Sequence, residues 1–131
     1  MTRIAISTKA APDAIGAYSQ AIKTGEIVYL SGQIGLDPVT MELIEDTFEK
    51  EIQQVFRNLE SVCRASGGSL SSVVKMSVFL TDLGLFGEVN DIFANQFTPP
   101  FPARSVVGVN ELPRGARVEI EAVLSIPKES S

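Results

Sequence analysis

Val118-Glu119-Ile120-Glu121-Ala122-Val123-Leu124-Ser125-Ile126 is the stretch on which the fold turns. Val118, Ile120, Ala122, Leu124 and Ile126 alternate with Glu119, Glu121, Val123 and Ser125. A period of two puts the first set on one side of a strand and the second on the other. One face is apolar and the other mixed, so the strand belongs to a sheet whose two sides have different surroundings. Residues two apart share a face, which stands Glu119 and Glu121 side by side about 7 Å apart.

The cover for the apolar side comes from about Thr47 to Ala65, where Phe48, Ile52, Val55, Phe56, Leu59, Val62 and Cys63 recur at helical spacing. Asp46 and Glu49 have the spacing of a capping box, with Asp in place of Ser or Thr, and Gly67-Gly68 ends the helix. A second helix is expected from about Leu85 to Phe97, with Asp82 as a cap and Pro99-Pro100 ending it. Its stripe of Phe86, Val89, Phe93 and Phe97 reads as core.

Between the helices, Val73 to Leu80 alternates, with Val74, Met76, Val78 and Leu80 on one face and Lys75 and Ser77 on the other. Further strands are expected at Ala17 to Lys23 and Ile27 to Ser31, joined by a hairpin turn at Thr24-Gly25, and at Ser105 to Val109. Strands, helix, strand, helix, strands is the order of an α+β domain, a single sheet of about six strands with two helices on one face. The 131 residues, 44% of them hydrophobic, suit one domain over 1–131 with no repeat or linker and a frayed tail from Lys128 to Ser131.

The second face of the sheet then presents Tyr29, Phe79 and Val123 among Lys75, Ser77, Glu119 and Glu121, with no third helix to cover it. A mixed surface of this kind calls for a partner. Symmetric self-association is the expected solution, and it creates clefts where subunits meet.

Composition narrows the chemistry. Eleven basic against 16 acidic residues leave a net charge of −5 with no basic stretch, so nucleic acid is not an expected partner. The chain has no histidine, which excludes Ser-His and Cys-His relays and histidine-ligated metal sites. Oxygen-only metal loops of the EF-hand kind are also missing from the sequence, so no metal is expected. The single cysteine, Cys63, falls at a core-like helical position and fits a reducing compartment. Without a membrane-length apolar run or a signal-peptide core at Met1 to Ala5, the expected location is the cytoplasm, with no membrane partner.

Polar chemistry concentrates in the last third. Pro102-Ala103-Arg104-Ser105, Leu112-Pro113, Gly115 and Val118 to Ala122 resemble the signature of the RidA (YjgF) family of reactive-intermediate deaminases. Ala14-Ile15-Gly16-Ala17-Tyr18-Ser19-Gln20-Ala21 and Leu30-Ser31-Gly32-Gln33-Ile34-Gly35 are similar to two more family motifs, so the resemblance covers almost the whole chain. It implies chorismate-mutase-like α+β subunits forming a homotrimer, with sheets making a central barrel and active sites between neighbours. It also implies hydrolysis of 2-iminobutanoate and 2-iminopropanoate, and their enamine tautomers, to 2-keto acids and ammonia without a cofactor.

The same resemblance assigns roles. Arg104 becomes the anchor of the substrate carboxylate, a task that suits a planar guanidinium able to donate two parallel hydrogen bonds. Pattern alone leaves Arg104 as a solvated charge at a strand start. Glu119 becomes the residue that holds and activates the attacking water. Glu121 is the competing carboxylate, and pattern alone reads both as exposed or ion-paired.

Tyr18 lines the pocket, Ser31, Gly32 and the Val106 backbone supply close polar contacts, and Asn90 matches a further pocket position. Arg114 and Arg117 carry no motif role and read as surface or salt-bridge residues. Two departures are visible: Val106 stands where relatives often have cysteine, affecting pocket shape, and Ala17 stands where proline is usual, loosening the Tyr18 loop. A rival reading is a non-catalytic ligand-binding or regulatory trimer of the same fold, since family members have been linked to translation control and to an endoribonuclease label.

Overall fold

A computed structural model describes residues 2–127, and the tail expected at Lys128 to Ser131 lies outside the described residues. The strands are β1 (Ile4–Ile6), β2 (Ala21–Thr24), β3 (Ile27–Gln33), β4 (Val73–Leu80), β5 (Ala103–Gly108) and β6 (Val118–Ser125). The helices are α1 (Phe48–Ala65) and α2 (Phe86–Gln96). All six strands form one sheet in the order β1-β2-β3-β6-β4-β5. The α+β expectation of a single sheet with two helices is met.

β6 lies between β3 and β4, antiparallel to both, and its alternation is sharp because the helices bury one side. Val118, Ile120, Ala122 and Leu124 are buried, in one core with Ile52, Val55, Phe56 and Leu59 of α1 and Val89 and Phe93 of α2. Full burial of each Leu, Ile, Val or Phe side chain contributes about 1.5 to 3 kcal/mol. β4 and β5 are the one parallel pair among the described residues. Parallel neighbours need a crossover, and α2 is its helix, which sets that helix over the edge strand β5.

Several local expectations shift. Thr47, not Asp46, caps α1: its backbone is extended and its hydroxyl accepts from the Lys50 amide at 3.1 Å. Asp46 instead takes the Lys50 ammonium at 2.6 Å, because the helix starts one residue later than the capping-box spacing implies. Asp82 caps a short 3₁₀ turn, Leu83–Leu85, that precedes α2.

Phe93 and Phe97 pack edgewise or tilted around Phe56, but Phe86, in the first turn of α2, is 44% exposed and not core. On β4 the register against β6 slips between Val73 and Lys75, so Val73 is buried and Val74 is turned outward. The hairpin turn lies where Gly25 adopts a φ of 60°, but β2 starts only at Ala21. Ala17 to Gln20 remain a loop, and the buried Gln20 amide donates to the carbonyls of Thr8 and Pro12, fixing the segment before β2.

Polar links join α1 to the segment after β3. Asn58, fully buried, donates to the carbonyls of Ile34 and Leu36 and accepts from Gln54. Glu51, also fully buried, accepts from the Arg117 backbone amide at 2.8 Å and from its guanidinium at 2.7 Å. Gly35 makes room for this helix, since a Cβ there would stand 2.7 Å from the Glu51 carbonyl oxygen.

Glu51 therefore fixes the start of β6, immediately before Glu119. Glu51→Gln keeps the volume but turns one acceptor into a donor facing donors. The expected cost is about 1.5 to 3 kcal/mol of stability, read as a lower urea midpoint at unchanged slope.

Among the described residues no helix covers the far side of the sheet. Tyr29 is 53% and Val107 43% exposed there, with Phe79 and Val123 partly exposed beside them. This is the uncovered face that the alternation of β6 implies.

Candidate active site

The residues singled out from the sequence fall into two groups on opposite sides of the sheet. Arg104 is the second residue of β5 and pairs with Met76 of β4, so its side chain starts on the helix-covered face. β5 is an edge strand, and the guanidinium emerges beside α2. One Nη donates to Asn90 Oδ1 at 3.2 Å, and the guanidinium carbon stands 4.9 Å from the Phe93 ring centre and 5.4 Å from that of Phe86.

An arginine pinned by one amide and two rings keeps its other N–H groups for a ligand. Among the described residues it makes no ion pair. The hollow beside it is lined by Asn90, Phe93, Ala94, Phe101, Pro102 and Arg104. Val106, two residues along β5, turns its side chain toward the core and leaves its backbone on the sheet edge.

Glu119 is the second residue of β6 and pairs with Phe79, on the uncovered face. Between Leu30 and Gln33 the register of β3 against β6 is irregular, and Gly32 lies in that bulge. A Cβ on Gly32 would sit 2.6 Å from a Glu119 carboxylate oxygen, so glycine is what admits the carboxylate. Bulges re-aim side chains next to active sites, and this one lets the Glu119 head lie along the β3 backbone. Burial of the carboxyl, and then the charge of Glu121, hold the Glu119 pKa above the usual carboxylate range.

Tyr18 lines the same cleft, with Gly32, Met41, Arg114 and Glu119. Its hydroxyl accepts from the Ile15 amide at 3.3 Å, which fixes the ring across its own loop. Ser31 donates to the Ser19 carbonyl at 2.6 Å and ties that loop to β3. The cleft holds about 280 Å³, the scale of a small organic acid.

The two groups cannot share one ligand within a chain. β6 and β5 are separated by β4, about 10 Å across the sheet, and Phe79 lies three residues beyond Met76 along β4. Arg104 and Glu119 also occupy opposite faces.

Sequence reading passed over two parts of these surroundings. Phe93 is core, as its spacing implies, and Phe86 is not, but both rings also carry the guanidinium of Arg104, a contact the stripe did not reveal. Arg114 is at the surface, as read, but it also lines the Glu119 cleft. Arg117 makes an ion pair, with Glu51.

Fold and cleft together define a class: a small α+β protein on one mixed sheet, with an arginine at the sheet edge and a perturbed carboxylate in a cleft of small-molecule size. Residues 8–126 match the endoribonuclease L-PSP family, and the chain belongs to that family, whose structures include RidA and YjgF. It is 49% identical over 121 residues to a 2-iminobutanoate/2-iminopropanoate deaminase of Dermatophagoides farinae, covering 92% of this chain and 94% of that one. A human protein of the same name is 42% identical over 123 residues, covering 94% and 90%. The crystal structure of RidA from the Antarctic bacterium Psychrobacter sp. superposes with a TM-score of 0.91 at 50% identity, covering 95% of this chain and all of that one.

Proposed function

We propose that this chain, as a single domain, hydrolyses 2-iminobutanoate and 2-iminopropanoate, with their enamine tautomers, to 2-keto acids and ammonia. The observation that carries the reading is the Glu119 carboxylate, seated on Gly32 in a cleft of small-acid size and held above the usual carboxylate range. Relatives at 42–49% identity bear the name of this deaminase.

Glu119 takes a proton from water as the oxygen bonds to the imine carbon, the C=N electron pair moves to nitrogen, and Glu119 passes that proton on to the nitrogen. In the resulting aminoalcohol Glu119 carries the hydroxyl proton to the amine nitrogen as the C–N bond breaks, which releases ammonia and leaves the 2-keto acid and the free carboxylate. Water is the only co-reactant the balance requires. Tyr18 and the Gly32 backbone position the substrate, and Arg104 and Asn90 hold its carboxylate.

Because Arg104 and Glu119 lie on opposite faces, the site joins the Arg104 group of one subunit to the Glu119 group of its neighbour. The assembly is a homotrimer of chorismate-mutase-like subunits with their uncovered faces turned inward, and the working compartment is the cytoplasm. No described helix is long and apolar enough to cross a membrane.

Threonine and threonine dehydratase supply 2-iminobutanoate for the test. The chain is expected to accelerate 2-oxobutanoate release above the spontaneous rate; no acceleration would return the reading to a non-catalytic ligand-binding trimer.

Glu121 adds a pH signature. Glu119 must be ionised to act as a base, so turnover falls as pH drops through its raised pKa. Glu121→Gln removes one of the causes that raise it. The acid limb of the kcat profile is expected to move to lower pH, while an unmoved limb would separate Glu121 from the base.

A further inference from the structure

Arg114 stands in the cleft with no role in the reaction just described. It occupies the left-handed region at φ 62°, ψ 16°, followed by Gly115 at φ 74°. Met41, which also lines the cleft, has φ 61°, and these two are the non-glycine residues with positive φ among the described residues. They are joined: an Arg114 Nη donates to the Met41 carbonyl at 2.7 Å.

Left-handed backbone costs a residue with a Cβ about 1 to 2 kcal/mol, and glycine would take that conformation freely. Strain of this kind collects where a site needs a group held in place. Here two strained residues hold each other, and Arg114 lines the same cleft as Tyr18 and Glu119. Among the described residues Arg114 makes no ion pair, and one of its five N–H donors is used by Met41.

We propose that Arg114 is a specificity-determining residue that binds a second, side-chain carboxylate, so that the chain favours 2-imino acids with four- or five-carbon dicarboxylic skeletons over monocarboxylic ones. The proposal rests on the deaminase reading in this respect: Arg104 of the neighbouring subunit already holds the carboxylate next to the imine. A monocarboxylic substrate leaves Arg114 facing water. A dicarboxylic one gives it a charge-assisted pair at the exposed rim of the cleft.

The test has a catalytic and a binding arm. Imines are generated in the assay by amino-acid oxidases from aspartate or glutamate and from alanine or leucine, and the ratio of kcat/KM for dicarboxylic over monocarboxylic substrates is measured. In Arg114→Ala that ratio is expected to fall about 10-fold or more, the size of one charge-assisted hydrogen bond, with partial recovery in Arg114→Lys. Equal losses on both substrate types would reduce Arg114 to a brace for the Met41 loop and overturn the proposal.

In the binding arm, succinate and butyrate are titrated against the unmodified chain and Arg114→Ala. Succinate is expected to bind more tightly than butyrate, with the difference lost in the variant. Failure to hydrolyse any imine would sink the deaminase reading, and the succinate titration would then decide the fate of Arg114 alone. Equal affinity for the two acids in the unmodified chain overturns the proposal whatever the rates show.

Discussion

Arg104→Ala is expected to lower 2-oxobutanoate release in the threonine dehydratase assay by about 10²-fold or more through lost orientation of the substrate, while the chain stays folded. The guanidinium is committed to one amide oxygen and two ring faces, which leaves its remaining donors available to the proposed carboxylate. Removing it leaves Phe93 in the core and costs the fold about the 0.5 to 1 kcal/mol of an exposed cation–π contact. Arg104→Lys is expected to be nearly as inactive, because an ammonium can neither lie flat on Phe93 nor donate two parallel bonds. Full activity in either variant, with unchanged circular dichroism, would remove Arg104 from the site.

The fold was legible where one pattern is forced by burial. β6 has strands on both sides and helices on one face, so every second residue is driven inward and the alternation from Val118 to Leu124 is unbroken. The same logic exposed the uncovered face. What escaped was decided by contacts distant in sequence. Val74 looks inward by period, yet a register slip gives that place to Val73. Asp46 has a capping spacing, yet Lys50 holds its carboxylate and Thr47 caps.

The candidate site shows the same division. Glu119 and Glu121 could be put on one face from spacing alone, but which of them lies against Gly32 depends on the bulge in β3, and nothing local to β6 encodes it. Arg114 was hidden for a similar reason. A Pro-Arg-Gly turn reads as surface, and its hydrogen bond to Met41 spans 73 residues of sequence.

Assembly carries the second large effect. Val123 lies on the uncovered face of β6, paired with Tyr29 on one side and Lys75 on the other. Val123→Lys places a second ammonium next to Lys75 in a surface proposed to close against two copies of itself. The change leaves the helix-covered core untouched, so the variant is expected to fold, and to elute and scatter light as a single 14.1 kDa chain, against the threefold larger mass expected of the unmodified protein. Burying each apolar side chain of that face is worth about 1.5 to 3 kcal/mol. A buried unpaired charge costs more than one such contribution returns. Activity is expected to disappear with the assembly, by at least the factor lost in Arg104→Ala, because an isolated chain keeps its arginine and its carboxylate on opposite faces with β4 between their strands. Mixing supplies the decisive arm. Arg104→Ala and Glu119→Gln subunits, each expected to be inactive alone, should regain activity when unfolded and refolded together, since some interfaces then pair an intact Arg104 with an intact Glu119. A fully active Val123→Lys monomer, or a mixture that stays inactive despite forming mixed trimers, would place the whole site within one chain and require Arg104 or Glu119 to act elsewhere.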